Sequence, residues 1–131
     1  MTVTFDDETR ALLDAPNFAV AATLNPDGGP QSSVVWILRE GDTVLFSSTT
    51  DRRKTRNLAA DPRISLTVLD GGNPYHTVEI RGTAELTDDP DKTLPRRLSA
   101  KYLGKEAIPE PDEVRRVIVR IRPDRVNRFK A

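Results

Sequence analysis

A basic segment in the middle of the chain has the residue types and spacing of an anion-binding turn. Residues 52–54 read Arg-Arg-Lys and follow a strand-like stretch, residues 44–48, with Thr50 or Asp51 placed to cap a helix that ends at residues 61–62. A helix N-terminus exposes unpaired N–H groups and partial positive charge, so cations in its first turn are unfavourable unless an anion lies among them. The segment is therefore either a phosphate- or carboxylate-binding turn or a solvated basic turn that binds nothing.

The composition excludes several kinds of chemistry. The chain has 131 residues, enough for one domain spanning residues 1–131, and it contains no cysteine, which rules out disulfides, thiolate metal ligands and thiol nucleophiles. His76 is the only histidine; we interpret it as structural or solvent-facing, with a catalytic role as the alternative, and we expect no metal site. The sequence has neither a G-x-G-x-x-G turn nor a Walker phosphate loop, which argues against a Rossmann or nucleoside triphosphate site.

The charges are balanced overall but segregated along the chain. Residues 1–51 hold two Arg or Lys against eight Asp or Glu, while residues 96–131 hold eleven against five. This asymmetry suits a groove for an anionic small molecule or the head-to-tail pairing of two copies, and it is too weak to indicate nucleic acid. No apolar stretch approaches the roughly 20 residues of a membrane span, and the acidic N-terminus is unlike a signal peptide, so we expect a cytoplasmic protein without a membrane span.

Apolar and polar residues alternate in a way that predicts six strands. These are residues 18–24, 31–38, 43–48, 64–68, 77–86 and 114–121. Gly82 interrupts the fifth strand and predicts a bend or bulge, while residues 122–124 are expected to end the sixth. Besides the basic helix, two helices are predicted, one ending at Pro16 and one near Gly104. This pattern indicates a mainly β, α+β fold, an antiparallel barrel with a few peripheral helices.

Two other features admit both a structural and a functional interpretation. Asp88, Asp89 and Asp91 could be paired catalytic carboxylates, but just before a helix they are better interpreted as capping residues. Trp36 is interpreted as a core or interface residue, although on a strand near an anion site it could also flank a planar ring.

Three motifs and their separation resemble a known family. They are ATLNPDGGPQSSVVW at residues 22–36, RRKTRNLAADPR at 52–63 and EIRGTAEL at 79–86. On these motifs the chain resembles, over nearly its whole length, the split-barrel flavin and deazaflavin proteins related to pyridoxamine 5'-phosphate oxidase, in particular the group that uses coenzyme F420. The resemblance implies a six-stranded antiparallel split β-barrel and a homodimer with cofactor sites at the subunit interface.

The resemblance also implies an activity and a site. The implied activity is that of an F420-dependent oxidoreductase transferring a hydride between the deazaflavin and a small organic acceptor. The alternatives are an FMN-dependent oxidoreductase and a non-catalytic flavin- or deazaflavin-binding protein. F420 is favoured over FMN because its polyglutamate tail adds carboxylates that surplus Arg and Lys could meet. The implied cofactor-binding residues are Gln31, Ser32, Ser33, Val34, Val35, Trp36, Ser48, Thr49, Thr50, Arg52, Arg53, Lys54 and Asn57.

Within that set, the resemblance implies that Lys54 and Arg52 hold the cofactor phosphate, with Arg53 and Asn57 as further candidates. It also implies that residues 48–50 complete the phosphate contacts and that residues 31–36 run beside the ring. It assigns no catalytic side chain, and the proton donors considered are His76, Tyr75, Arg81 and solvent. Pyridoxamine 5'-phosphate oxidases proper carry an additional Arg- and Trp-rich C-terminal segment where this sequence stops, so vitamin B6 oxidation is not implied.

Overall fold

The backbone of residues 3–131, described in a computed structural model, forms three helices and one seven-stranded antiparallel sheet. The helices are α1 (Asp7–Asp14), α2 (Arg53–Ala60) and α3 (Thr93–Leu103). The strands are β1 (Ala19–Leu24), β2 (Pro30–Val35), β3 (Leu38–Glu40), β4 (Thr43–Thr49), β5 (Arg63–Asp70), β6 (Asn73–Asp88) and β7 (Arg116–Lys130). Neighbouring strands follow the order β2-β1-β5-β6-β7-β4-β3. No helix among the described residues is long and apolar enough to cross a lipid bilayer.

The two edge strands of this sheet are neighbours in sequence. β2 and β3 lie at opposite ends of the strand order, yet only Trp36 and Ile37 separate them. Two intervening residues allow at most about 11 Å between the flanking Cα atoms, so the two edges must approach each other and the sheet must curl into a barrel. No ladder within residues 3–131 joins β2 to β3, so the barrel is split at this seam. The predicted mainly β split barrel with peripheral helices is confirmed.

The sheet has seven strands where six were predicted, because residues 31–38 do not form one continuous strand. The break falls at Ile37, whose N–H donates to the Tyr102 hydroxyl at 3.0 Å. Tyr102 belongs to α3 and lies 65 residues further along the chain, so local sequence pattern cannot reveal this bond. Ile37 is fully buried, which is why the segment has the apolar pattern of an unbroken strand.

β6 and β7 form a long ribbon with one bulge. The pairing shifts between Arg81 and Gly82, which confirms the bulge predicted at the glycine. A Cβ at position 82 would lie 2.1 Å from the carbonyl oxygen of Arg122, so only glycine fits there. Gly82 pairs with Pro123, whose missing N–H falls at this irregularity, and β7 continues beyond it. The expectation that residues 122–124 end the strand is therefore wrong.

Two apolar clusters lie on opposite faces of the sheet. The barrel interior holds the larger one, and burying each of its large side chains contributes about 1.5–3 kcal/mol. Its fully buried members include Phe46, Leu66, Ile80, Val119 and Ile121. The smaller cluster, formed by Leu45, Leu94 and Leu98, packs α3 against the outside of the barrel. Helix α3 is thereby fixed over the same face that carries the candidate site.

Asp89 fixes the start of α3. Its carboxylate accepts from the N–H groups of Thr93 and Leu94 at 3.0 Å and from the Thr93 hydroxyl at 2.9 Å. Burial opposes ionisation of this carboxyl, but these bonds hold the pKa of Asp89 below its ordinary value. The capping interpretation is confirmed for Asp89, and Gly104, at φ 67°, ends the helix where the sequence predicted.

Candidate functional site

A cleft of about 920 Å³ is lined by the end of β2, by β4, by the start of α2, by α3 and by the segment that links α3 to β7. Six of the thirteen residues implied by the resemblance line it. They are Val34, Val35, Trp36, Ser48, Arg52 and Lys54. The fold thus brings the strand 31–36 and the basic segment, which are separate in sequence, to one concave surface.

Lys54 is the buried cation of this cleft, with 7% of its surface exposed. Its Nζ donates to the Ser33 hydroxyl at 3.2 Å, and no carboxylate of residues 3–131 forms an ion pair with it. Burial, and then the nearby charge of Arg52, lowers the pKa of the Lys54 ammonium below its ordinary value. A buried ammonium group without a counter-ion is costly, and a ligand phosphate would supply the missing negative charge.

The N-terminus of α2 lies beside Lys54 without a side-chain cap. The helix begins at Arg53, with Arg52 in the capping position and making no side-chain capping bond. The predicted cap at Thr50 or Asp51 is wrong, because the helix starts later and Asp51 instead accepts a bond from the Thr49 hydroxyl. The first N–H groups of α2 and the cations of Arg52 and Lys54 therefore create positive potential at one end of the cleft.

The other seven implied residues do not line the cleft. They are Gln31, Ser32, Ser33, Thr49, Thr50, Arg53 and Asn57. Ser33 lies next to the cleft, because its hydroxyl accepts a hydrogen bond from Lys54. Ser32, Thr50 and Arg53 are exposed to solvent, and Thr49 is buried. The basic segment thus divides into two cations that face the cleft and one, Arg53, that faces away from it.

Asn57 belongs to a buried polar network rather than to the cleft. It is 2% exposed, and its Nδ2 donates at 3.0 Å to both the Thr23 hydroxyl and the Asn25 side-chain oxygen. The Thr23 hydroxyl donates in turn to Gln31 Oε1 at 2.8 Å. These bonds join α2 to β1, to β2 and to the turn between them. Asn57 and Gln31 therefore help to fix β2, the strand that carries Ser33, relative to α2.

Trp36 forms an apolar wall of the cleft. Its ring stacks on that of Tyr102, with centroids 5.0 Å apart and planes within 5°, and the ring of Phe18 also stacks on Tyr102, with centroids 6.1 Å apart. The Tyr102 hydroxyl donates to the carbonyl oxygen of Asn17 at 2.6 Å. Trp36 therefore packs against the apolar cluster beneath α3, as interpreted from the sequence, and also lines the cleft.

His76 lies away from the cleft and links three elements. Its Nδ1 is 3.1 Å from the Asp70 carboxylate on β5, and its Nε2 is 3.2 Å from the Glu8 carboxylate on α1. These contacts favour the structural interpretation. None of the proton donors considered from the sequence, His76, Tyr75 and Arg81, lines the cleft. In the part of the chain that the structure describes, no group of three or more His, Asp or Glu side chains is arranged to hold a metal ion.

Several cleft residues were not found by sequence reasoning. Arg116 on β7 and Lys92 before α3 line the cleft, and both contact Glu110. Ser47 on β4 adds a buried hydroxyl that lacks a hydrogen-bond partner among the described residues. The only sequence signal for Arg116 was the cationic excess of residues 96–131. Which of those cations reaches the cleft depends on the pairing of Arg116 with Thr49, and local pattern does not reveal that register.

The family model described as pyridoxamine 5'-phosphate oxidase matches residues 5–130. The chain belongs to the pyridoxamine 5'-phosphate oxidase family. Members of this family are flavin-binding oxidoreductases, and the matched residues include every helix and strand described above. The chain therefore belongs to a family whose members bind flavin or related cofactors.

Individual relatives within and around this family differ in name. A pyridoxine/pyridoxamine 5'-phosphate oxidase from Rubrobacter xylanophilus is 32% identical over 132 residues, which cover 96% of this chain. The chain spans 60% of that relative's length. A solved structure named F420 reductase is 34% identical with a TM-score of 0.85, covering 94% of this chain and 98% of the other. A conserved hypothetical protein from Mycobacterium tuberculosis shares the fold, with a TM-score of 0.79 and 24% identity. The match covers 98% of this chain and 86% of the other.

Proposed function

We propose that this protein is an F420-dependent oxidoreductase that transfers a hydride between the deazaflavin and a small organic acceptor. The observation that carries the proposal is Lys54, a buried ammonium group that faces a large cleft. Among the side chains of residues 3–131, its hydrogen-bond partner is the Ser33 hydroxyl alone. Such a group suits a ligand phosphate, which would accept a charge-assisted hydrogen bond from it. Arg52 and the uncapped N-terminus of α2 would contribute to the same phosphate site.

Two observations favour F420 over FMN. A solved structure named F420 reductase is 34% identical to this chain, with a TM-score of 0.85. The cleft also carries more positive than negative side chains, which suits a cofactor whose tail has carboxylates in addition to its phosphate. The cationic residues lining it are Arg52, Lys54, Lys92, Arg96, Lys105 and Arg116, and the acidic ones are Asp91, Glu106, Glu110 and Asp112.

The chain's own contribution is binding and orientation. A reduced deazaflavin supplies the hydride when bound, so the protein needs to bring an acceptor close to the ring and to exclude water. Trp36, Val35 and Leu98 provide apolar surface in the cleft for a planar ring. The ring would lie along β2 while Lys54 holds the phosphate, and a proton that the acceptor requires would come from solvent, since His76 lies outside the cleft.

The functional unit we propose is a homodimer with the cofactor between its subunits. Three large apolar side chains around the cleft are exposed in the single chain: Val34 at 65%, Leu103 at 54% and Ile108 at 89%. Exposed apolar groups gathered at one site indicate a partner or ligand surface. A second copy covering the mouth of the cleft would bury them and complete the pocket for the acceptor.

Spectroscopic titration tests the proposal directly. Purified protein is titrated with F420 and, separately, with FMN, and the reduced complex is then mixed with conjugated organic acceptors while cofactor oxidation is followed. We expect saturable F420 binding and acceptor-dependent oxidation. Binding of FMN alone would assign the flavin instead, and F420 binding without oxidation by any acceptor would indicate a carrier rather than an enzyme. Absence of binding to both cofactors would overturn the proposal.

A further inference from the structure

A second charged cluster lies in the cleft, outside the residues implied by the resemblance. Glu110, on the segment between α3 and β7, accepts two bonds from the Arg116 guanidinium, at 2.9 Å to Oε1 and 3.1 Å to Oε2. The Lys92 ammonium lies 3.4 Å from the same Oε1. All three side chains are about three-quarters buried, with 23–24% of their surface exposed. The cluster holds two cations and one carboxylate, so it keeps a net positive charge.

The cluster is close to the proposed phosphate site. Arg116 pairs with Thr49 at the end of β4, only a few residues before Arg52 and Lys54, and all three cations line one cleft. Thr49 shares its face of β4 with Ser47, which lines the cleft, and paired residues of antiparallel strands project to the same face. The side chain of Arg116 therefore lies on the cleft side of the sheet, and it lines the cleft itself. An extended anionic ligand held by Lys54 could therefore reach Arg116 without leaving the cleft.

The geometry of Lys92 is unusual and supports a specialised role. It has a φ of 53°, the only positive value of a non-glycine residue within residues 3–131. A lysine in this left-handed conformation is strained, and such strain is often found at binding sites. Its ammonium group donates to the carbonyl oxygen of Pro111 at 2.9 Å and contacts the Glu110 carboxylate. The hydrogen bond from Arg116, more than any other contact, lowers the pKa of Glu110, so this carboxyl is ionised at neutral pH.

We propose that Arg116 and Lys92 form a carboxylate-binding subsite of the cleft, and that Glu110 fills this subsite until a ligand carboxylate replaces it. The side chain of Glu110 itself indicates the chemistry, because a carboxylate bound by both ends of one guanidinium is the arrangement that a ligand carboxylate would reproduce. The inference rests on the proposed function only for the source of that carboxylate. The source is either the glutamate tail of F420 or an acid group on the acceptor.

The alternative is that Glu110 permanently fixes the segment 104–115 to the barrel. The two hypotheses differ in the effect of Glu110→Gln, which removes the internal carboxylate and keeps a side chain of the same shape. If Glu110 competes with the ligand, this variant binds carboxylate ligands more tightly. If Glu110 only fixes the segment, the variant binds them equally or less well.

The test combines three variants with three ligands and a pair of acceptor types. The variants are Glu110→Gln, Arg116→Gln and, as a matched control, Arg120→Gln. Arg120 lies on the same strand as Arg116 but outside the cleft, and its replacement removes a similar ion pair, with Glu40. The probes are F420 with its glutamate tail, the same deazaflavin phosphate without glutamates, free tri-γ-glutamate, and acceptors with and without a carboxylate. Thermal unfolding of each variant verifies folding, and Arg116→Lys, which keeps the charge, replaces Arg116→Gln if the latter fails to fold.

We expect Arg116→Gln to weaken binding of a carboxylate ligand about tenfold, and Glu110→Gln to strengthen it about threefold, with no change in Arg120→Gln. An effect on F420 that disappears without the glutamates assigns the tail, while an effect on KM confined to carboxylate-bearing acceptors assigns the acceptor. If F420 fails to bind but tri-γ-glutamate binds in an Arg116-dependent manner, the subsite stands and the proposed cofactor is wrong. If F420 binds through Lys54 while neither Glu110→Gln nor Arg116→Gln alters any carboxylate probe, the subsite is refuted and the proposed function stands.

Discussion

The Nζ of Lys54 lies 3.2 Å from the hydroxyl of Ser33, which connects the first turn of α2 to the edge strand β2. The hydroxyl is a neutral partner, so the charge of Lys54 remains uncompensated within the described chain. Because the side chain is buried, its direction is fixed before any ligand arrives. Ser33 therefore acts as a positioning residue for the cation that we propose binds phosphate.

Replacing Lys54 by Ala should weaken binding of the phosphate-bearing cofactor by about 1.5–3 kcal/mol, the range for a hydrogen bond to a charged group. Arg53→Ala is the matched control, since Arg53 is adjacent but exposed and outside the cleft lining. Fluorescence or absorbance titration with F420 measures both. Equal losses in the two variants would show that the basic segment acts only through its general charge.

Lys54 and Asn57 should differ in their effect on stability. Lys54→Met removes a buried cation without a counter-ion, so we expect an unchanged or increased free energy of unfolding. Asn57→Ala removes the bonds to Thr23 and Asn25 and should cost about 1–3 kcal/mol. Urea unfolding without cofactor measures both variants. A larger loss of stability in Lys54→Met than in Asn57→Ala would contradict the division of roles.

Stability should increase with pH above neutrality because of Lys101. Its Nζ donates at 2.7 Å to the carbonyl oxygens of Leu13 and Ile37, but burial lowers its pKa from an ordinary 10.5 to about 8. Between these values the unfolded chain binds more protons than the folded one. The free energy of unfolding should therefore rise with pH, by at most about 1.4 kcal/mol per pH unit.

Urea unfolding from pH 8 to 9.5 tests this expectation, and Lys101→Met should remove most of the rise. Lys54, whose pKa burial also lowers, contributes in the same direction. The pKa of the Tyr102 phenol, raised by burial, adds the opposite trend above pH 10, so the measurement stops below that value. A wild-type free energy that is flat or falls across the window would refute the assignment.

Gly82 should tolerate no side chain. Gly82→Ala would place a Cβ 2.1 Å from the Arg122 carbonyl oxygen and should destabilise the fold by at least about 2 kcal/mol. The control is Gly72→Ala, where the nearest atom, an Asp70 side-chain oxygen, is 3.5 Å away. We expect the free energy of unfolding of the control to lie within about 1 kcal/mol of the wild-type value. Comparable midpoints of urea unfolding for the two variants would show that the bulge can shift to accommodate a side chain.

The exposed apolar residues of the cleft predict the oligomeric state. We expect light scattering to give twice the 14.6 kDa of one chain. Ile108→Lys should favour the monomer, because Ile108 is 89% exposed at the cleft, while Phe129→Lys, at a residue 59% exposed elsewhere, should leave the mass unchanged. A monomeric wild-type protein would remove the subunit interface from the proposed site.

Local features of the sequence predicted the parts of this molecule that depend on local physics. The basic turn, the bulge at Gly82, the cap of Asp89 and the helix end at Gly104 each follow from backbone geometry or hydrogen bonding within a few residues. The resemblance then identified Lys54 and Trp36, which line the cleft. Their role in holding a cofactor stays a prediction.

The features that were missed depend on contacts between distant segments. The interruption between β2 and β3 results from the hydroxyl of Tyr102, and the place of Arg116 results from its register opposite Thr49. Neither can be read from alternation of residue types, because that alternation is compatible with many registers. The same limit explains why local pattern did not reveal the bond between the Asn57 amide and Thr23.

Trp36 is the only tryptophan of the chain, and it stacks on Tyr102 at the wall of the cleft. Its indole emission therefore comes from a single known position, with no background from other indoles. A chromophore in the cleft whose absorption overlaps that emission would quench it by energy transfer. The protein thus carries an intrinsic optical reporter of its own occupancy, which permits label-free screening of ligands.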